Sequence, residues 1–129
     1  MINVFVDDLR ELPKGFDVLC KDYDTALECL LNNEVNILSL DNDLGVNKDG
    51  SLVPDCYMLV KTLMDKGFTC KRFMFHTDNV VGFENMKSYL NSAKKVGLLS
   101  KDVIIDVYKT EAKSMYADGK PFKEVTGEV

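Results

Sequence analysis

Short apolar segments that end in polar residues recur along the chain, and their lengths predict β-strands. Ile2–Val6 and Val35–Leu40 are the most compact of these segments, and both run directly into aspartates. A continuous apolar run of this length is typical of a strand buried on both faces of a parallel sheet. Shorter segments predict three further strands at residues 17–21, 73–75 and 103–108.

Between these strands, apolar residues recur every three or four positions, which predicts three amphipathic helices. Asp24 is placed to cap the first helix, Asp55 opens the second, and the third covers residues 84–95. Gly67 lies where a glycine commonly ends a helix. The polar residues 45–54 indicate a loop. The predicted inward faces are Ala26, Leu27, Leu30 and Leu31; Met58, Leu59, Thr62 and Leu63; and Met86, Tyr89, Leu90 and Ala93.

The alternation of strands and helices predicts an α/β fold, a three-layer open parallel sheet with helices on both faces. Because 46% of the 129 residues are hydrophobic, the chain can build one ordinary core. No repeat or linker divides it, so we expect one domain over residues 1–110. The C-terminal part is atypical for such a fold, and residues 111–129 are predicted to be an extension that is partly mobile.

Four aspartates follow the first and third predicted strands: Asp7, Asp8, Asp41 and Asp43. Parallel strands present their carboxyl ends at one edge of the sheet, where such sheets bind ligands. Clustered carboxylates repel each other unless a cation or a basic side chain lies between them. Oxygen-only ligation favours a hard ion, so Asp7, Asp8 and Asp41 are predicted to bind Mg²⁺ or Mn²⁺. Asp43 is assigned to catalysis as a base, with a purely structural role as the alternative.

Polar residues also follow the fourth predicted strand, where His76, Thr77 and Asn79 would face the same edge as the aspartates. His76 is the only histidine, and its position predicts a catalytic proton transfer, with a hydrogen-bonded structural role as the alternative. Thr77 and Asn79 are hydrogen-bond donors and are predicted phosphate ligands. Arg10 is the third predicted phosphate ligand, or it pairs with a neighbouring acid.

Composition and missing motifs exclude several classes of function. A net charge of −5 argues against non-specific binding to nucleic acid. Acidic residues near the start and the lack of a long apolar run predict no signal peptide and no membrane segment, hence a cytoplasmic protein. The chain has no nucleotide-binding glycine loop, no GxSxG nucleophile and no EF-hand spacing. Free thiols are expected at Cys20, Cys29, Cys56 and Cys70, which form no CxxC pair.

Three blocks contain the polar residues of the predicted sheet edge: VDDLR at 6–10, LSLDNDLG at 38–45 and FHTDNVVGFENM at 75–86. Together they resemble the family of cyclic-phosphate processing receiver-like domains, which is related to the receiver domains of two-component signalling. Receiver domains carry acids after strands one and three, a small polar residue after strand four and a lysine after strand five. In this chain those places hold Asp7, Asp8, Asp41, Thr77 (or His76) and Lys109. The resemblance does not extend beyond Lys95, so a role for Lys109 is left open.

The resemblance implies a receiver-like or flavodoxin-like fold that processes a cyclic phosphate on a small nucleotide or an RNA end. In such a reaction Asp7, Asp8 and Asp41 hold Mg²⁺ or Mn²⁺, and a water on the metal attacks phosphorus. Asp43 orients that water, and His76 protonates the leaving ribose oxygen. Two alternatives are left open: a signalling module phosphorylated on Asp41, and a module that sequesters a cyclic nucleotide without cleaving it. The acidic, asparagine-rich composition allows a phage source, and the sequence indicates no oligomeric state.

Overall fold

The computed structural model describes residues 1–44, 55–77 and 79–106 of the chain. These residues form five strands: β1 (Ile2–Val6), β2 (Val18–Cys20), β3 (Val35–Leu40), β4 (Cys70–Phe75) and β5 (Ile104–Ile105). They also form three helices: α1 (Tyr23–Leu31), α2 (Cys56–Asp65) and α3 (Val80–Lys95). No helix in these ranges combines the length and the apolar character that crossing a membrane requires.

The strands form one parallel sheet in the order β2-β1-β3-β4-β5. This is the strand order of flavodoxin-like and receiver-like sheets, and it confirms the predicted fold class. The direction of the chain through the sheet reverses at β1, because β2 lies on one side of it and β3 on the other. Ligands bind such sheets beyond the carboxyl ends of the strands at this switch point. The residues after β1 and β3 therefore occupy the expected position of a ligand site.

The alternation of side chains along the strands produces two separate hydrophobic clusters. The larger cluster joins residues of α1, α2 and α3 to Val4, Leu38 and Phe73 of the sheet. The smaller cluster lies on the opposite face and consists of Phe5, Phe16, Ile37 and Met74. All three described helices thus cover one face, whereas Phe16 from the loop between β1 and β2 packs on the other. The predicted third layer stays a prediction for the part of the chain beyond the described ranges.

Two helices begin earlier than the sequence predicts. The N-cap of α1 is Asp22, whose Oδ1 accepts the Thr25 N–H at 2.8 Å, and the predicted cap Asp24 lies in the first turn. Asp22 takes the role because its extended backbone directs the side chain back to the first free amides. The third helix begins at Val80 rather than at residue 84, since Asn79 Oδ1 accepts the Gly82 N–H at 2.9 Å.

The second helix begins with Asp55 as its N-cap and is followed by Gly67 at a positive φ of 78°, as predicted. Its buried face is only partly the predicted one. Met58 is 46% exposed, because α2 lies between α1 and α3 and buries a stripe shifted by one position. The buried residues of α2 are Cys56, Leu59, Val60, Leu63 and Met64.

The outer strands differ in length from their predictions. β4 begins at Cys70, because residues before Phe73 already pair with β3, where Arg72 lies opposite Ile37. β5 contains only Ile104–Ile105 in the described part of the chain. Val103 and Asp106 are described and flank β5 without belonging to it, so the predicted strand is too long at both ends of this part. Residues 107–108, the loop 45–54, Lys109 and the extension 111–129 lie outside the described residues, so the domain boundary stays a prediction.

The four cysteines carry free thiols, as predicted, and pack with the core. Cys20, Cys56 and Cys70 are buried, and Cys29 is partly buried. Burial raises the pKa of the Cys20 and Cys70 thiols to about 12, so both stay protonated at neutral pH. A protonated thiol is a poor metal ligand and a poor nucleophile, which leaves these residues a packing role.

Gly82 allows α3 to approach the loop that follows β3. A Cβ at this position would overlap the side chain of Asn42 and lie only 2.7 Å from its Cβ. Asn42 is buried and stands between Asp41 and Asp43, two of the predicted site residues. The contact therefore holds the start of α3 against the loop that carries part of the candidate site.

We expect Gly82→Ala to reduce the free energy of unfolding by about 1–3 kcal/mol, because the added methyl group forces Asn42 or α3 to move. Helix propensity alone would favour alanine by about 1 kcal/mol, so a net loss reports the steric contact. Urea unfolding measures the change. Ser88→Ala, on the exposed face of the same helix, is the control and should stay within about 0.5 kcal/mol of wild type. A Gly82→Ala protein as stable as wild type would contradict this packing.

Candidate functional site

The pleat of the sheet brings three predicted site residues to the same face. Side chains alternate along a strand, so Asp7 continues the row of Phe5, and His76 continues the row of Met74. Asp41 likewise continues the row of Ile37 on β3. Since β1, β3 and β4 are neighbours in the sheet, these rows end side by side at its carboxyl edge.

Asp7 is completely buried and accepts four hydrogen bonds. Its Oδ1 accepts the backbone N–H groups of Leu9 at 2.8 Å and Arg10 at 3.0 Å. Its Oδ2 lies 2.8 Å from Arg10 Nη1 and 3.0 Å from His76 Nε2. Burial alone would raise the pKa of Asp7, but these hydrogen bonds outweigh it and hold the pKa well below its usual range. Asp7 is therefore an anion at neutral pH.

His76 is also completely buried, between Asp7 and Ser39. Its Nδ1 lies 2.8 Å from Ser39 Oγ, and its ring stacks on Phe5 with 3.9 Å between the ring centroids. Burial lowers the pKa of His76, and the hydrogen bond to Asp7 opposes this only in part, so the ring is neutral. Because ionised Asp7 can only accept, Nε2 carries the proton and donates to it, while the Ser39 hydroxyl donates to Nδ1.

Arg10 lies between two of the clustered carboxylates. Its Nη1 is 2.8 Å from Asp7 Oδ2 and 3.3 Å from Asp41 Oδ2. The side chain is 24% exposed and only partly buried by its neighbours. This is the basic side chain that a group of like charges requires when no other cation neutralises it. Arg10 thus pairs with acids in this structure, and its predicted contact with phosphate stays a prediction.

Asp41 and Thr77 form a second hydrogen-bonded pair at the edge. Asp41 Oδ1 accepts the backbone N–H of Asn42 at 2.8 Å, and the side chain also bonds to Thr77. Burial raises the pKa of Asp41, although the bond from Thr77 counteracts it. The Thr77 hydroxyl additionally accepts the Asn79 N–H at 3.0 Å, so both of its hydrogen-bonding directions are used within the protein.

Asp43 is the exposed member of the acid group. Two amide side chains orient it: Asn42 Nδ2 lies 3.3 Å from Oδ1, and Asn79 Nδ2 lies 3.4 Å from Oδ2. Asn79 has a structural task as well, because its Oδ1 caps α3. The carboxylate of Asp43 therefore faces solvent in a defined orientation, next to the N-terminus of a helix of 16 residues.

An open cavity of about 260 Å³ connects these groups. It is lined by Asp8, Leu9, Arg10, Asp41, Asp43, Thr77 and Asn79. The structure thus brings six of the eight predicted site residues to one cavity wall. Asp7 and His76 are not among its lining residues and lie behind Arg10, within the sheet edge.

The donor set fits a hard divalent cation. Asp7, Asp8 and Asp41 each offer an oxygen, and these three atoms lie within 4.8 Å of one another. Opposite ligands of an octahedral Mg²⁺ are separated by about 4.2 Å, so this spacing suits ions that bind oxygen at about 2.1 Å. The one conflict is Arg10, whose Nη1 already contacts Oδ2 of Asp7 and Oδ2 of Asp41.

A model of the cyclic-phosphate processing receiver domain matches residues 2–92 of the chain. The chain belongs to this family. The match contains β1 to β4 and every residue of the candidate site described above. Comparisons with curated proteins and with solved structures find no match. The resemblance seen in the three sequence blocks is therefore confirmed at the level of the family.

Two residues of this receiver domain contribute to the site without having been singled out in the sequence. Ser39 is a buried hydroxyl within an apolar strand, and its position two residues before Asp41 places it on the site's face. The alternation of side chains along β3 could therefore have identified Ser39 from the sequence. Asn42 is buried against Gly82, a contact between distant segments that no local pattern indicates.

We expect His76→Phe to reduce the free energy of unfolding of this receiver domain by about 2–4 kcal/mol in the presence of EDTA. Phenylalanine keeps the stacking on Phe5 but leaves Asp7 and Ser39 without their shared partner. Ser39→Ala removes only the bond to Nδ1 and should cost about 1–2 kcal/mol. Urea unfolding distinguishes the two. Equal stability of His76→Phe and wild type would show that the buried pair contributes nothing.

The neutral state of His76 gives the stability a defined pH dependence. The folded pKa is below the ordinary 6.5, so between these two values the unfolded chain binds one proton more than the folded chain. The contribution of His76 to wild-type stability should therefore fall as the pH drops from 7 to 5, by at most about 1.4 kcal/mol per pH unit. His76→Phe removes the only histidine and should show a smaller slope. Parallel slopes in urea titrations with EDTA would contradict a neutral His76.

Proposed function

We propose that this receiver domain is a metal-dependent phosphoesterase that opens a cyclic phosphate on a small nucleotide or on an RNA end. The observation that carries the proposal is that Asp8, Asp41 and Arg10 line one open cavity, while Asp7, the third carboxylate suited to a divalent ion, lies directly behind Arg10. The family description supplies the substrate class, a cyclic phosphate. A cavity of about 260 Å³ suits a single phosphate with its ribose rather than the groove of a duplex.

In this proposal Asp7, Asp8 and Asp41 hold Mg²⁺ or Mn²⁺. The ion, when bound, neutralises charge on a phosphate oxygen and acidifies a water ligand. Asp8 is half-buried and lines the cavity, so it connects the ion to the substrate side of the site. The net charge of −5 disfavours phosphates away from the cavity, so binding relies on Arg10 and the amides at the start of α3.

Asp43 is the residue best placed to act on water. It is exposed, it lines the cavity, and Asn42 and Asn79 fix the direction of its two oxygens. A carboxylate in this position accepts a proton from an attacking water as the water approaches phosphorus. Asn79 also lines the cavity, and the second N–H of its Nδ2 group would donate to a phosphate oxygen, a role that stays a prediction.

His76 has a geometry that favours positioning over direct proton transfer. Both ring nitrogens are hydrogen-bonded to protein groups, and the ring has no exposed surface. Through Nε2 it fixes the orientation of Asp7, in the way that an outer residue fixes a metal-binding carboxylate. The prediction that His76 protonates the leaving ribose oxygen stays a prediction, and the assay below distinguishes the two roles.

We expect the purified protein with Mg²⁺ or Mn²⁺ to open a 2′,3′-cyclic or 3′,5′-cyclic nucleotide, or an RNA ending in a 2′,3′-cyclic phosphate. Asp8→Asn should lower kcat/KM by at least about 100-fold, because it removes a metal ligand without disturbing the buried bonds of Asp7. Asp43→Asn should lower kcat more than it raises KM. Phosphorus NMR follows the opening of the ring directly.

The controls test whether activity depends on the acids of the site in particular or on any loss of negative charge. Asp24→Asn changes the same charge in the first turn of α1 and should keep wild-type activity, whereas EDTA should abolish turnover. If His76 only positions Asp7, excess Mn²⁺ should partly restore His76→Asn, whereas a lost proton donor would not be restored. Absence of turnover across the whole panel would refute the phosphoesterase. Tight binding with the cyclic phosphate recovered intact would instead identify a sequestering module.

A further inference from the structure

The position of Arg10 has a consequence for how the cavity takes up a cation. One nitrogen atom, Nη1, contacts Oδ2 of Asp7 and Oδ2 of Asp41. Asp7 and Asp41 are also two of the three residues whose oxygens are close enough to share an ion. A divalent ion bound to the same two oxygens would lie in the space of that nitrogen and repel its charge. The guanidinium and the ion are thus alternative occupants of one position.

Asp7 keeps its orientation when the Arg10 guanidinium moves away from it, because other groups also hold its carboxylate. Three of its four hydrogen bonds come from His76 and from the backbone N–H groups of Leu9 and Arg10. Only the fourth comes from the Arg10 side chain. Departure of that side chain therefore opens one lone pair on Oδ2 in a carboxylate that is already fixed, which is the condition for a preformed ion ligand.

The Arg10 side chain can also move away from the carboxylates into the open cavity. Its backbone is held by the N–H bond to Asp7 Oδ1, while its partly exposed side chain lines the open cavity. Rotation about the side-chain bonds can turn the guanidinium from the carboxylates into the cavity without moving the backbone. There its planar donor group would meet a phosphate oxygen.

We propose that Arg10 is the resident counter-ion of the acid cluster and that a divalent cation displaces it, releasing the guanidinium to bind the substrate phosphate. The inference rests on the metal site of the proposed function and adds an order of events to it. Cation and phosphate then bind cooperatively, because each favours the state in which Arg10 has left the carboxylates. Without a cation, the guanidinium stays on the acids and the cavity has little affinity for phosphate.

The two arginines of the chain make the exchange directly observable. Arg10 and Arg72 are its only arginines, and Arg72 is bonded to Asp106 outside the cavity. Protein labelled with ¹⁵N-arginine should give two Nε–H signals. Titration with Mg²⁺ alone should shift the Arg10 signal and leave that of Arg72 unchanged. An Arg10 signal that stays in place while Mg²⁺ is shown to bind by calorimetry would overturn the proposal.

The Mn²⁺ affinity of Arg10 variants tests whether the guanidinium and the cation compete for the same carboxylates. Arg10→Ala should bind Mn²⁺ about tenfold more tightly than wild type, because the ion no longer displaces a charged group. Arg10→Gln, which keeps hydrogen-bonding capacity near the acids, should show the same direction and serves if the alanine variant does not fold. Arg72→Ala removes an equivalent arginine–aspartate pair and should leave the Mn²⁺ affinity unchanged. Unchanged or weaker Mn²⁺ binding in folded Arg10 variants would overturn the proposal.

Inorganic phosphate tests the second half of the exchange. In the wild type, saturating Mg²⁺ should increase phosphate affinity, and in Arg10→Ala that increase should shrink at least about tenfold. An equal increase in both proteins would overturn the transfer of Arg10 to phosphate. These binding results are separate from turnover. Mg²⁺-dependent ring opening with a motionless Arg10 signal would refute the exchange alone, and exchange without ring opening would refute the phosphoesterase alone.

Discussion

A completely buried carboxylate, Asp7, imposes the main constraint on this sheet edge. An ionised carboxylate removed from water is unstable unless surrounding donors replace its hydration. Here the replacement comes from three separate sources: the turn after β1, the Arg10 side chain, and His76 at the end of β4. The first two are local to the turn after β1, whereas the bond from His76 depends on the correct pairing of β1, β3 and β4. The charge of Asp7 therefore links the order of the sheet to the geometry of the cavity in front of it.

The same constraint explains why the histidine is inside the protein. His76 follows an apolar strand in the row of Met74, so the pleat directs its ring onto Phe5 and toward Asp7. In that place burial lowers the pKa of His76 and keeps the ring neutral, with the hydroxyl of Ser39 donating to Nδ1. A neutral ring donating to a fixed anion is rigid. Such a ring can hold a carboxylate in one orientation before any ligand arrives.

The convergence of Asp7, Asp41 and His76 could be predicted from the sequence, because apolar runs ending in polar residues mark the strands and parallel strands share one carboxyl edge. The burial of each side chain could not be predicted. It depends on which face of the sheet the side chain lies on and on which residues cover that face. The caps show a similar limit. Asp22 and Asp24 are equally suitable by type, and backbone geometry alone selects Asp22.

The burial of the four aspartates is graded, and the gradient matches a division of tasks. Asp7 is enclosed and bonded on both oxygens, Asp41 is nearly enclosed, Asp8 is half-buried, and Asp43 is exposed. Enclosed carboxylates are rigid and poorly hydrated, which favours holding a cation, whereas an exposed carboxylate can exchange protons with water. The gradient, together with Arg10 between the enclosed members, fits the proposed site, in which a cation and a phosphate would bind side by side.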